Sequence, residues 1–195
     1  MIGLSLTDIA TTVGGTLELG GADTGATIVS GAVETDSRRI TPGGIFVAKP
    51  GEVTDGHLFV PAAVSNGAVV AIVERALDAA ALGGDISQVI VPDAVAALGA
   101  LARRVVAHVH AEGTLTTVGI TGSNGKTTTK NLLARMLEGE GETVAPEASF
   151  NNEVGAPLTM LRITHDTNFL ISELGASAPG EIARTLSRLQ PIHGR

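Results

Sequence analysis

The chain has no cysteine, tryptophan or tyrosine, and only four phenylalanines in 195 residues. Without cysteine, disulfides and thiolate metal ligands are excluded, and a reducing compartment fits. Few aromatic rings are present to stack on a nucleobase. Basic residues are the minority: 13 Lys and Arg stand against 20 Asp and Glu, a formal charge of −7. A broad basic surface for nucleic acid is therefore excluded, and an anionic ligand has to be gripped locally. No apolar run approaches the ~20 residues that span a bilayer. The opening MIGLSLTDIATTVGG lacks the basic start and continuous apolar stretch of a secretory signal. The expectation is a cytoplasmic monomer that neither binds nucleic acid nor inserts into a membrane.

What is present is enough for a packed core. Hydrophobic residues make up 44% and charged residues 17%, and the length suits one large domain or two small ones. SLTDIATTVGG predicts a short helix, with Ser5 and Asp8 at capping-box spacing and Gly14-Gly15 ending it. Turns and short strands follow. Pro42-Gly43-Gly44 mark a turn before the strand IFVA. HLFVPAAVSNGA suits a helix ending near Asn66-Gly67, and VVAIVE and QVIVP suit buried strands. These elements form a first α/β unit, placed at residues 1–91.

A second unit, residues 92–195, opens with DAVAALGALARRVVAHVH. Asp93 is its expected N-cap, and Val95, Leu98, Ala102, Val105 and Val109 share a helical face. Strands are expected at TTVGIT, TVAPE and FLISEL, with helices at TTTKNLLARMLEG and GEIARTLSRLQ, the latter carrying Ile182, Leu186 and Leu189 on one side. Strands alternating with helices predict a doubly wound parallel sheet. After the last helix the chain reaches 191-PIHGR-195, which predicts a sheet with further strands to come.

The stretch TTVGITGSNGKTTTKNLL resembles a phosphate loop with altered spacing. A Walker A loop reads G-x-x-x-x-G-K-[ST]. Here Gly125, Lys126 and Thr127 are in place, but Ile120 stands where the first glycine belongs, and Gly122 gives the shorter G-S-N-G-K-T. The physics survives the shortening. Gly122 and Gly125 let the backbone amides across Ser123 and Asn124 turn toward a phosphate chain. The helix opening at Lys126, Thr127 and Thr128 presents its positive end to an anion. Lys126 supplies charge to the β- and γ-phosphates of ATP, and the Thr127 hydroxyl is a Mg²⁺ ligand. The alternative is a glycine-rich turn that binds nothing.

Other candidates carry less information. Glu173 closes the strand FLISEL, and carboxylates at strand C-termini can hold a metal; a solvated strand end is the alternative. Asn151 and Asn152 have amides that can donate to phosphate, or can form an Asx turn capping the next helix. Ser37, Arg38 and the Asp55-Gly56-His57 segment could meet a pyrophosphate or be ordinary turns. His108 and His110 face different ways on one helix, so no metal site is expected there; His165 and His193 carry no motif. Arg103, Arg104, Arg184 and Arg188 read as solvated helix faces.

TGSNGKTTTK resembles the ATP loop of the Mur ligases, the ATP-dependent amide-bond ligases of peptidoglycan synthesis, and folylpolyglutamate synthetases share its general form. ETDSRRITPGGIFVAKPGEVTDGHLFVPAAVSNGA resembles the uridine-nucleotide domain of the later Mur ligases. SFNNEVGAPLTML and SELGASAPGEI resemble the branch that joins D-alanyl-D-alanine to UDP-N-acetylmuramoyl-tripeptide. The resemblance implies phosphorylation of the tripeptide's terminal carboxylate by ATP and attack of the dipeptide amine on the acyl phosphate. It implies Lys126 on the phosphates and Thr127 and Glu173 on Mg²⁺. Asn151 and Asn152 would line the phosphate and substrate site, with Ser37, Arg38 and Asp55 to His57 in the UDP-sugar domain. It also implies three domains in the family. The central one continues past this span with a metal-binding histidine and a lysine, carbamylated in many members, a role not assigned to His193. The expectation is thus an N-terminal portion of such a ligase, inactive alone. A non-catalytic module for UDP-sugar or nucleotide phosphates, or a folylpolyglutamate synthetase relative, are the alternatives.

Overall fold

A computed structural model describes residues 1–51, 54–113, 115–147 and 152–173. Asn151, His193 and the helix expected over GEIARTLSRLQ lie outside the described residues. The chain divides into two compact units, Met1–Leu101 and Ala102–Arg195. The division falls inside a helix, whereas the sequence-based boundary lies just before that helix begins.

The first unit contains β1 (Leu4–Ser5), α1 (Leu6–Val13), β2 (Thr16–Glu18), β3 (Ile28–Val29), β4 (Val33–Glu34), β5 (Gly44–Val47), α2 (Val60–Ser65), β6 (Ala68–Val73), α3 (Ala79–Leu82) and β7 (Ser87–Ile90). Short 3₁₀ turns cover Ser37–Arg39 and Gly56–Phe59. The expected capping signal starts α1. Ser5 Oγ accepts from the Asp8 amide at 3.0 Å and donates to the Asp8 carboxylate at 2.7 Å, a cap worth about 1 kcal/mol. Gly14, left-handed at φ 65°, closes the helix.

The main sheet has the order β2-β7-β6-β5-β4, parallel except for β2 at one edge. From β5 to β6 to β7 the chain steps one place at a time in one direction. Right-handed crossovers then put α2 and α3 on the same face. The core agrees: Phe46, Ala48, Ala71 and Val73 pack with Val60 and Ala63 of α2 and Leu82 of α3. On the other face Ile45, Val47, Val70, Ile72 and Val89 are equally buried. A strand covered on both faces reads as a continuous apolar run, hence AVVAIV in β6. Gln88 is buried within this sheet, and its amide is used fully. Its oxygen accepts from the Leu77 amide, and its nitrogen donates to the Leu77 carbonyl and to Glu18.

The second unit takes in the later part of α4 (Ala94–Ala111), then β8 (Thr116–Ile120), α5 (Lys126–Leu137), β9 (Glu142–Val144), α6 (Gly155–Met160) and β10 (Thr167–Glu173). At the start of α4 the Asp93 carboxylate accepts from the amides of Val95 and Ala96, as expected. Leu98, Ala102, Val105 and Val109 of its apolar face are fully buried, and Val95 is half-buried.

The sheet of the second unit has the order β8-β10-β9, all parallel. The chain steps over one place from β8 to β9 and then returns to insert β10. With right-handed crossovers, α5 and α6 lie on opposite faces, the doubly wound arrangement. Leu170 and Ile171 of β10, with Val144, Met160, Leu161 and Ile163, form the core. β9 is shorter than the TVAPE segment, because Pro146 has no amide to give a ladder. Among the described residues no helix is long and apolar enough to cross a membrane.

One close approach in the first unit is exacting. A Cβ at Gly31, just before β4, would collide with the backbone carbonyl of Gly43, just before β5. Gly31→Ala is expected to destabilise the fold by about 1–3 kcal/mol, as overpacking does. It should lower the urea midpoint without changing the slope, and an unchanged midpoint would refute the packing argument.

Candidate functional site

The loop between β8 and α5 has the backbone that its glycines predict. Gly122 and Gly125 take φ values of 149° and 78°, a region open mainly to glycine. Gly125 is the N-cap of α5 and offers no side chain to the helix amides. The first turn, Lys126 to Thr128, thus has amides with no intrahelical acceptor and the positive end of the helix dipole. Lys126 Nζ donates to the Gly122 carbonyl at 2.6 Å, so its ammonium lies across the loop. Gly122, Ser123, Asn124 and Gly125 are all exposed. Open amides, a cation and an exposed backbone make a cradle for a phosphate chain.

Glu173 belongs to the same place. In the β8–β10 ladder Glu173 stands opposite Ile120, the last residue before the loop segment. Its carboxylate is buried, and Thr127 Oγ1 lies 3.3 Å from both of its oxygens. A hydroxyl beside a carboxylate, next to a phosphate cradle, is an all-oxygen donor set of the kind Mg²⁺ takes. The residues present therefore fit both a nucleotide phosphate and its metal. Strand pairing brings Glu173 within reach of Thr127 across 46 positions of sequence.

Sequence reasoning passed over Lys130. It follows Lys126 by one helical turn, is buried, and donates from Nζ to the Pro146 carbonyl at 2.7 Å. It thus ties α5 to the segment leaving β9. Its signal was positional: a second lysine at i+4 from the loop lysine. Farther along, Asn152 Oδ1 accepts from the amides of Val154 and Gly155 at 3.2 and 2.7 Å. The Asx-turn alternative therefore describes its oxygen.

In the first unit, the polar segments named from sequence gather at the C-terminal ends of parallel strands. Asp36, Ser37 and Arg38 follow β4; Asp55, Gly56 and His57 precede α2 on the connection from β5; Glu74 and Arg75 follow β6. This end of a parallel sheet is where ligands sit in α/β folds. The Asp36 carboxylate accepts from the Arg38 amide at 3.0 Å and from its guanidinium at 2.6–3.2 Å. The Arg38 side-chain hydrogen bond holds the Asp36 carboxyl down at about 2. Arg38 is 86% exposed, so the rest of its guanidinium faces solvent. Ser37 is buried, and its carbonyl accepts from Asn66 Nδ2 at 2.8 Å.

His57 has a different role from its neighbours. It is buried, and both ring nitrogens are used inside the protein. The Glu74 amide donates to Nε2 at 2.8 Å, which places the ring proton on Nδ1, 2.6 Å from Asp55 Oδ1. The Asp55 carboxylate also accepts from the His57 amide at 3.0 Å and from Arg75 at 2.7 Å. The His57 amide and ring, then Arg75, hold the Asp55 carboxyl well below the usual carboxylate range. The carboxylate of Glu74 accepts from the Ala94 amide at 2.8 Å. His57 therefore braces the connection after β5 against the end of β6. Glu74 and Arg75, at a strand end, were the missed members. A groove of about 320 Å³, lined by Asp23, Thr27, Ser30, Gly43 and Val69 among others, opens at the opposite end of these strands.

Two family models match the chain: "Mur ligase family, catalytic domain" over residues 31–116 and "Mur ligase middle domain" over residues 120–194. A UDP-N-acetylmuramoyl-tripeptide–D-alanyl-D-alanine ligase of Mycobacterium leprae is 42% identical across 100% of this chain and 41% of its own length. The ligase of that name from Escherichia coli K12 is 39% identical across 98% of this chain and 39% of its own. Among solved structures, MurF from Acinetobacter baumannii superposes with a TM-score of 0.81 at 32% identity, covering 97% of this chain and 39% of that one. MurF from Thermotoga maritima in complex with ADP gives 0.69 at 33% identity over 83% of this chain and 36% of that one. The chain spans about 40% of the length of the curated relatives it matches. Its loop, its fold and both matched models agree, and the chain belongs to the Mur ligase family.

Proposed function

We propose that these residues supply the UDP-sugar and ATP-phosphate sites of a ligase that joins D-alanyl-D-alanine to UDP-N-acetylmuramoyl-tripeptide in peptidoglycan synthesis. Residues 1–91 form the UDP-sugar domain and residues 92–195 lie in the central ATP-binding domain. The observation that carries the reading is the Thr127–Glu173 pair beside the Gly122–Lys126 cradle. Ligases of this activity align along 98–100% of the chain and support the choice of branch. The substrates are soluble, and the protein acts as a cytoplasmic monomer.

The reaction has two halves. A terminal carboxylate oxygen of the tripeptide attacks the γ-phosphorus of ATP, the bond to the β-phosphate oxygen breaks, and ADP leaves. The dipeptide amine then adds to the acyl phosphate, gives up a proton, and expels inorganic phosphate from the tetrahedral adduct to leave the amide. Neither half needs a protein nucleophile. Both need negative charge neutralised and reactants aligned. The amides across Gly122, Ser123, Asn124 and Gly125 and the first turn of α5 through Thr128 grip the phosphates. Lys126 leaves its bond to the Gly122 carbonyl to meet the β- and γ-phosphate oxygens. Thr127 and Glu173 would hold Mg²⁺, which supplies further positive charge to the transferring group when bound. Asn152 lines the phosphate and substrate side. The Asn152 nitrogen is positioned for donation by the capping bonds of its oxygen.

On the UDP-sugar side, Arg38 and the Gly56 backbone contact the diphosphate, with Ser37 shaping the turn. His57 and Asp55 act through the loop they brace, since the ring has no polar atom left to offer.

Lys126→Ala in the full gene product is expected to cut D-alanyl-D-alanine-dependent ADP formation about 10²–10³-fold or more, the loss seen when a charge-stabilising donor is removed. ADP formation that ignores the dipeptide would sink the ligase reading. Glu173→Gln should leave nucleotide binding measurable but remove most of its dependence on Mg²⁺; a variant with unaltered Mg²⁺ dependence would remove Glu173 from the metal. A third expectation concerns pH. Because the folded Asp55 carboxyl titrates below its unfolded value of about 3.9, its stabilisation is complete above that pH and is lost as pH falls through the folded pKa. Asp55→Asn should therefore narrow the gap between urea midpoints at pH 7 and pH 3. A gap as wide as in the parent chain would show that the brace contributes nothing.

A further inference from the structure

The end of α4 carries a cluster that the proposed reaction does not use. His108 lies in the last turn of α4 and Glu112 follows directly after the helix, at a spacing of four residues that brings the two side chains together. His165, in the turn before β10, meets them. Its Nδ1 lies 2.9 and 3.1 Å from the two Glu112 oxygens, and His108 Nε2 lies 3.7 Å from Glu112 Oε1. One donor atom from each residue falls within 4.8 Å of the others. The two imidazoles meet edge to face with centroids 5.8 Å apart. His110, the residue paired with His108 in the sequence, is not part of the cluster.

We propose that His108, Glu112 and His165 form a binding site for a late first-row divalent ion, zinc above all. Zinc bonds to histidine nitrogen and carboxylate oxygen run about 2.0–2.2 Å, so neighbouring donors in a tetrahedral site stand roughly 3.3–3.5 Å apart. From Glu112 Oε1 the His165 and His108 nitrogens stand 3.1 and 3.7 Å away, which brackets that edge, and rotation of these side chains at the surface closes the difference. Two imidazoles and one carboxylate suit Zn²⁺ and are a poor set for Mg²⁺, which prefers oxygen. Three protein ligands leave a fourth position to water. Arg104 opposes the ion: its guanidinium donates to His108 Nδ1 at 3.3 Å, and the ring must carry its proton there when Nε2 ligates. Arg104 is exposed and can turn into solvent.

The cluster lies at the start of β10, whereas Glu173 ends it, roughly 20 Å away at ~3.3 Å per residue. It is therefore separate from the phosphate cradle. An ion there clips the turn at Thr164–Thr167 to the end of α4. It steadies the strand that presents Glu173, a structural role.

The test is calorimetric titration of the untagged 195-residue chain with zinc chloride in excess Mg²⁺. One equivalent should bind and raise the unfolding temperature. His108→Ala, Glu112→Ala and His165→Ala should each weaken binding at least 10-fold and abolish the shift, with circular dichroism unchanged. Arg104→Gln should bind as tightly as the parent or more so. Absence of saturable binding overturns the site. So does binding that survives all three alanine variants, since the ion would then sit on other groups.

Discussion

The pairing of β10 beside β8, with Glu173 level with Ile120, is the constraint on which the second unit's chemistry depends. The loop amides and Lys126 are local products of the sequence and would exist in any strand–loop–helix unit. The carboxylate is not local. It reaches Thr127 only because β10 enters the sheet between β8 and β9, in one register. A slip of one residue would turn Glu173 to the opposite face of the sheet and exchange Leu170 and Ile171 between two differently packed faces. Both of those side chains are fully buried. The core therefore sets the register, and the register sets the geometry of the Thr127–Glu173 pair.

The first unit follows the same strand-end rule by different means. Among its described residues no long helix has an open first turn at the polar edge. Its connections are instead stiffened by carboxylates that collect neighbouring donors: Asp36 from Arg38, and Asp55 from His57 and Arg75. A buried imidazole with both nitrogens engaged gives a loop a fixed shape without a metal or a disulfide, in a chain with no cysteine. What such a loop offers a ligand is preorganised backbone and the exposed guanidinium of Arg38.

Much of this was legible in the sequence where the signal was local. The Ser5 cap, the Asp93 cap and the apolar runs of β6 and β7 depend on neighbours within a few positions, and each is found where expected. The loop glycines are likewise local. β9 came out shorter than TVAPE because a proline cannot feed a ladder and its carbonyl is claimed by Lys130. The roles of His57, Arg75 and His165 were not legible. Their partners sit 17, 20 and 53 residues away in Glu74, Asp55 and Glu112, and no periodicity joins such positions. Glu112 had a readable clue in its spacing from His108, but only the turn before β10 gives that pair its third member.

Lys126 and Lys130 show how one helix face separates function from structure. Both lie in α5, one turn apart, with identical side chains. Lys126 is only half-buried and rests on a carbonyl of the loop it serves, a contact that a phosphate can replace with a stronger charge-assisted one. Lys130 is buried, where an ammonium is costly unless its donors are satisfied. It meets the Pro146 carbonyl, an acceptor whose own residue can offer no amide to a neighbouring strand. Exchanging that contact for a ligand would strand a buried carbonyl and loosen the segment leaving β9. The mobile lysine is thus the one at the helix terminus, where the amides are already open. The fixed lysine, one turn deeper, holds the path of the chain on its way to Asn152. The short G-S-N-G-K-T spacing still brings together the helix terminus, its two glycines and one movable cation.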